Sequence, residues 1–101
     1  VNKYHAQRTH SILVGRTFDS KAEALRAEEL FLLQRLGDIS DLRFQVLFVL
    51  SEAPKVAIKI DFAYLKDGHV CYEDVKGVMT RDFRTKLAWL KQQGFEVTLI
   101  R

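Results

Sequence analysis

The chain has 101 residues, 48% of them hydrophobic and 29% charged, with a net charge of +3, which describes one ordinary globular domain rather than a disordered or fibrous chain. No apolar run approaches the roughly 18 residues that a membrane-spanning helix needs, and the first fifteen residues lack the pattern of a secretory leader. A lone Cys71 excludes an internal disulfide framework and a cysteine zinc cluster, and a reducing, cytoplasmic setting fits best.

Charge is unevenly spread. Residues 1–16 hold Lys3, Arg8 and Arg16 with no acid, residues 37–75 hold seven acids against four bases, and residues 76–101 hold six bases against two acids. Basic ends around a carboxylate-rich middle suit a protein that grips a polyanion about an acidic, metal-binding centre; a solvated surface of mixed charge gives the same balance.

In chain order, residues 1–11 show no period and read as a basic arm, with residues 12–101 as a single domain. The arm's Lys3, Arg8 and Arg16, with His5 and His10, suit phosphate contacts better than a metal cluster. Residues 12–18 read as a short strand or extended entry. A helix is predicted over 20–36: Ser20 and Glu23 form a capping box, Gly37 stands at the C-cap, and Ala22, Leu25, Leu32 and Leu36, with Ala24, Phe31 and Leu33, give a broad apolar surface. Residues 42–50 read as a largely apolar strand in which the polar Gln45 is left as an undecided contact with the site or its substrate. Residues 55–66 alternate strictly, placing Val56, Ile58, Ile60, Phe62 and Tyr64 on one face and Asp61 on the other. Asp67-Gly68 is a strong hairpin turn, and residues 69–76 follow as its second strand. Thr80 caps a second helix over 81–93, with Phe83, Leu87, Leu90 and Trp89 read as core; for Trp89 and Phe83 a base-stacking platform is the alternative. Gly94 stops the helix, and residues 95–100 make the last strand. The order is α-β-β-β-α-β. A helix between the third and fourth strands allows a parallel pair, so the expected fold is α/β with a mixed four-stranded sheet flanked by helices.

The hairpin carries the chemistry. Period two points Asp74 and Lys76 to the same face, and pairing brings Asp61 alongside. Two carboxylates and an ammonium on one face suit divalent-cation binding and water activation against a phosphodiester; the bland reading is a set of solvated strand charges. Alternation turns Glu73 away from that face, and a bulge in the strand would exchange Glu73 with Asp74. For Glu23, the capping box alone explains an acid at that position.

This order of elements and acids resembles the PD-(D/E)xK nuclease superfamily, and more narrowly a family of small, mostly phage-encoded proteins within it. The matching residues are Phe18-Asp19-Ser20-Lys21-Ala22-Glu23-Ala24, Gly37-Asp38-Ile39, Gln45, Asp61-Phe62-Ala63-Tyr64, Glu73-Asp74-Val75-Lys76-Gly77, Thr80 and Lys86, so the resemblance runs from near Lys3 to the end. Ile60 stands where the motif has proline, and Asp74 where Glu is common.

The resemblance implies a restriction-endonuclease-like core and a Mg²⁺-dependent DNA endonuclease, with Mn²⁺ able to substitute. Asp61 would be the central metal-bridging carboxylate and Asp74 the second ligand. Lys76 would orient water or stabilise phosphorane charge. Glu23 would be the first-helix acid found in Holliday junction resolvases, and Arg81, Arg84 and Lys86 would be second-helix DNA contacts. Branched DNA is then the expected substrate, a homodimer the expected assembly because a resolvase makes two symmetric cuts, and a bacterial or phage-infected cell the expected setting. A DNA-binding or assembly module without turnover, and a nickase or RNase with the same site, are the alternatives.

Overall fold

The computed structural model describes residues 7–100. Lys3 and His5 lie outside them. The chain runs β1 (Thr9–Ser11), β2 (Arg16–Phe18), α1 (Lys21–Arg35), β3 (Ser40–Glu52), β4 (Lys55–Lys66), β5 (His69–Val75), α2 (Arg81–Gln92) and β6 (Val97–Ile100). The expected α-β-β-β-α-β order is present, preceded by a small hairpin. In it β1 pairs antiparallel with β2. Residues 9–11 are therefore a strand and not part of a loose arm. Their anchor is polar: the Ser11 hydroxyl donates to Glu28 on α1 at 2.6 Å and accepts the Val14 N–H at 3.1 Å. No hydrophobic period could announce such a strand.

The main sheet is mixed, in the order β3-β4-β5-β6, with the first two pairings antiparallel and β5–β6 parallel across α2. Asp67 and Gly68 both take positive φ, 52° and 79°, as the two-residue turn between twisted antiparallel strands requires. α1 starts at Ser20, whose side chain accepts the Glu23 N–H at 3.0 Å. It ends where Gly37, at φ 84°, lets the Asp38 N–H reach the Leu33 carbonyl at 2.9 Å.

Each helix covers its own core. Under α1 lie Phe18, Ala24, Ala27, Leu30, Ile39, Phe62 and Tyr64; under α2 lie Leu50, Ile58, Ile60 and Leu90, with Phe48, Tyr72 and Phe83 packed alongside. Two readings from periodicity fail here. α1 buries Glu23, Ala24, Ala27 and Leu30, while Leu25, Leu32 and Leu36 stay exposed. Apolar and polar residues are mixed around this helix, so its period does not select a face, and the small Ala24 and Ala27 are buried with Leu30. In β4 the single apolar face divides at Asp61: Ile58 and Ile60 join the α2 core, Phe62 and Tyr64 the α1 core. Opposite Asp61, Gln45 takes φ 54°, although the register is the same on both sides of it (Phe44↔Phe62, Val46↔Ile60). That left-handed residue breaks the regular extended backbone at the level where the two cores meet.

Leu90 is the one residue of α2 classed as fully buried among the described residues. Leu90→Ala is expected to cost about 2–5 kcal/mol in urea unfolding. A loss below about 1 kcal/mol would contradict the packing of α2 on the sheet.

Candidate active site

The β4–β5 ladder ends at Phe62↔Glu73. One step beyond, the next two side chains replace the missing backbone bonds. Asp74 Oδ1 accepts the Asp61 N–H at 2.9 Å, and Asp61 Oδ2 accepts the Val75 N–H at 2.9 Å. Each carboxylate thus caps the other's strand where the strands part. Lys76, two residues past Asp74, places Nζ 3.3 Å from Asp74 Oδ2 and 4.2 Å from the centre of the Phe83 ring. The ammonium is close enough for charge contact but not aligned as a hydrogen bond, so the buried Asp74 Oδ2 has no hydrogen-bond partner.

Glu23 comes from the first turn of α1. The Gln45 amide stands between it and β4, donating to Glu23 Oε2 at 3.1 Å and to Asp61 Oδ1 at 3.3 Å. These groups edge a cavity of about 410 Å³ whose lining includes Ser20, Glu23, Asp61, Lys76, Thr80 and Phe83. Ser20 and Thr80 are the N-caps of the two helices, so both positive helix ends face this cavity.

The carboxylates are electrostatically loaded. Burial, then Asp61, Asp19 and Asp74, push the Glu23 carboxyl up to about 7. Burial, then Asp61, push Asp74 up to about 6, against the pull of Lys76. Burial also raises Asp61, opposed by the Val75 N–H and by Lys76. Burial is the largest cause in each case, and neighbouring acids add to it at Glu23 and Asp74. Their oxygens are hard donors of the kind Mg²⁺ takes, and the unpartnered Asp74 Oδ2 is a vacant acceptor. Among the described residues, however, no three acidic, histidine or cysteine side chains are gathered closely enough to share one ion as they stand. Gln45 occupies the space between Glu23 and Asp61.

Glu73 lies on the other face. The β4–β5 register is unbroken from Phe62↔Glu73 to Lys66↔His69, so no bulge exchanges it with Asp74. It accepts two bonds from Arg26, at 2.8 and 2.9 Å, and a short one from the Tyr64 hydroxyl. Burial would raise its pKa, but Arg26 and Tyr64 together hold it below the usual glutamate value. Arg26 sits one turn from Glu23 on α1, and Glu73 is the neighbour of Asp74 on β5. This ion pair therefore ties the two elements that carry the acids. Sequence reading passed over Arg26 and Tyr64, although the three-residue spacing from Glu23 to Arg26 is visible in the chain.

The expected DNA contacts among the described residues lie on separate elements. Arg8 is exposed 3.9 Å from Asp19, which lines the cavity. The Arg16 guanidinium lies 4.8 Å over the Phe44 ring. Lys86 pairs with Asp82 at 3.2 Å, while Arg81 and Arg84 are exposed on α2.

Fold and site together define an α/β domain with a lysine-flanked acidic pocket at the parting of two strands. The chain belongs to the family described as "Protein of unknown function (DUF1064)", which matches residues 1–100. No curated protein and no solved structure matches it.

The pH dependence of stability has a definite sign. Glu23 and Asp74 hold protons more tightly folded than unfolded. Between the ordinary values of 4.5 and 3.8 and the raised values of about 7 and 6, stability falls as pH rises. Glu73 has the opposite sign: its contribution is present above its ordinary value and lost as pH falls through the lowered one. The metal-free protein is expected to lose several degrees of Tm between about pH 5 and pH 7.5, and Glu23→Gln to flatten that decline. A flat wild-type profile would contradict the charge assignment. Glu73→Gln, which leaves Arg26 without its counter-charge, is expected to cost about 3 kcal/mol in urea unfolding.

Proposed function

We propose that this protein is a metal-dependent DNA endonuclease of the PD-(D/E)xK type, structure-selective on branched DNA. The observation that carries the reading is the mutual capping of Asp61 and Asp74, with Lys76 against the unpartnered Asp74 oxygen. Asp61 and Lys76 line the open cavity, and Asp74 lies buried beside them.

In this reading Asp61 and Asp74 would hold Mg²⁺, with Glu23 as the third carboxylate, and Mn²⁺ would substitute. Bound there, the ion would acidify water and offset charge on the scissile phosphate. The other parts belong to the chain. The two helix N-termini at Ser20 and Thr80 favour an anion in the cavity. Lys76, steadied by the Phe83 ring, supplies a cation beside the reacting phosphate and orients the attacking water. Gln45 keeps Glu23 and Asp61 apart but adjacent while no cation neutralises them. Two symmetric cuts in a junction need two sites, so the active form is a homodimer. The setting is the cytoplasm of a bacterial or phage-infected cell, and no described helix is long and apolar enough to cross a membrane.

One observation favours the second reading, a DNA-binding module without turnover. The acids are not gathered about a common point, and two of their oxygens already serve the backbone. Cleavage separates the two. A labelled four-way junction in Mg²⁺ is expected to show paired nicks that are absent in EDTA, weaker on duplex, and reduced about 10²–10³-fold by Lys76→Ala or Asp61→Ala. Junction bound in EDTA but never cut in Mg²⁺ or Mn²⁺ would overturn the nuclease and leave the binding module.

A further inference from the structure

Trp89, the single tryptophan of the chain, is not core. It is 37% exposed on the outer side of α2 and belongs to neither apolar cluster. α2 docks through Leu90, Leu87 and Phe83, so folding alone leaves an indole on the far side without a purpose. Two adjoining hollows of about 470 and 290 Å³ share Arg84 and Ala88. Trp89 walls the first, and Phe95, also 37% exposed, walls the second. The small Ala88 leaves an open floor between the two rings. Arg81 and Arg84 are exposed and have no acidic partner among the described residues, whereas Lys86 and Lys91 are engaged by Asp82 and Glu96.

We propose that this face of α2 binds a single-stranded DNA segment, with an unpaired base stacked on Trp89, the adjacent phosphate against Arg84, and Arg81, about 12 Å from Trp89 along the helix axis, meeting the strand further on. Charge complementarity and shape together select this occupant. Unpartnered guanidinium groups call for an anion, and exposed rings beside a small residue call for a flat apolar plate. A nucleotide strand repeats both in alternation. A duplex would offer the phosphates but hide its base faces in the stack. The strand would also lead to the cavity. Thr80 lines the cavity and caps the helix, and from there to Trp89 is about 13 Å along the axis, or about four nucleotides of stacked strand. Only that last connection rests on the proposed nuclease; binding at Trp89 does not.

The test uses the emission of Trp89, which reports this site alone. Titrating the full chain with a thymidine oligonucleotide in EDTA at low salt is expected to quench it, and an equal length of duplex to quench it less. Measured by anisotropy of the labelled oligonucleotide, Trp89→Leu is expected to weaken binding about fivefold or more, and Trp89→Phe to recover part of the loss. Arg84→Ala is expected to weaken it and to lower the salt slope by about one. Oligonucleotide binding that leaves Trp89 emission unchanged would overturn the proposal, as would equal quenching by duplex. So would an emission change that follows protein concentration alone, which would assign the face to a second copy. Because the quench is read without metal, a protein that fails to cut DNA but shows it loses the nuclease and keeps this site.

Discussion

Two carboxylates capping each other's strands set the geometry of everything around them. Where β4 and β5 separate, backbone N–H groups at Asp61 and Val75 would lose their ladder partners, and the side chains of Asp74 and Asp61 take them instead. A buried N–H needs an acceptor, and an amide would serve without adding charge. Two acids at this position are instead both raised by burial, and at Asp74 the Asp61 charge adds to the rise. A cation at this pair, as proposed, would offset the charge that burial disfavours.

The surrounding structure holds that imbalance in place. On one face, Arg26 clamps Glu73 and thereby fixes α1, with Glu23, against β5. On the other, Phe83 of α2 meets the Lys76 ammonium. Between them Gln45, in a left-handed conformation that breaks a long strand, carries its amide to both Glu23 and Asp61. Residues outside the acid–lysine motif therefore decide whether the motif can act as a unit.

Much of this was legible in the sequence, and the remainder was hidden for physical reasons. The Asp67-Gly68 turn fixed the β4–β5 register, and register with period two was enough to place Asp74 and Lys76 together and to turn Glu73 away. Helix ends at Ser20, Gly37 and Thr80 followed from side chains that cap backbone groups locally. What failed depended on tertiary context. α1 mixes apolar and charged residues around its circumference, so its period does not name a buried face, and the division of β4 between two cores arises at a kink no periodic pattern records. The Thr9–Ser11 strand is held by a hydroxyl rather than an apolar stripe. Trp89 read as core because bulk and spacing are all that sequence offers; its exposure depends on how α2 rolls against the sheet.

The central claim is that the Asp61–Asp74 pair is a cation site held ready by the fold. Its most direct test is the thermal stability of the intact chain at about pH 7.5, with and without millimolar Mg²⁺ or Mn²⁺, for the wild type and for Asp74→Asn. The account predicts that the ion raises Tm by several degrees in the wild type and leaves the variant unmoved, because the amide keeps one acceptor but removes the charge. An ion that stabilises neither protein, or both equally, would contradict it.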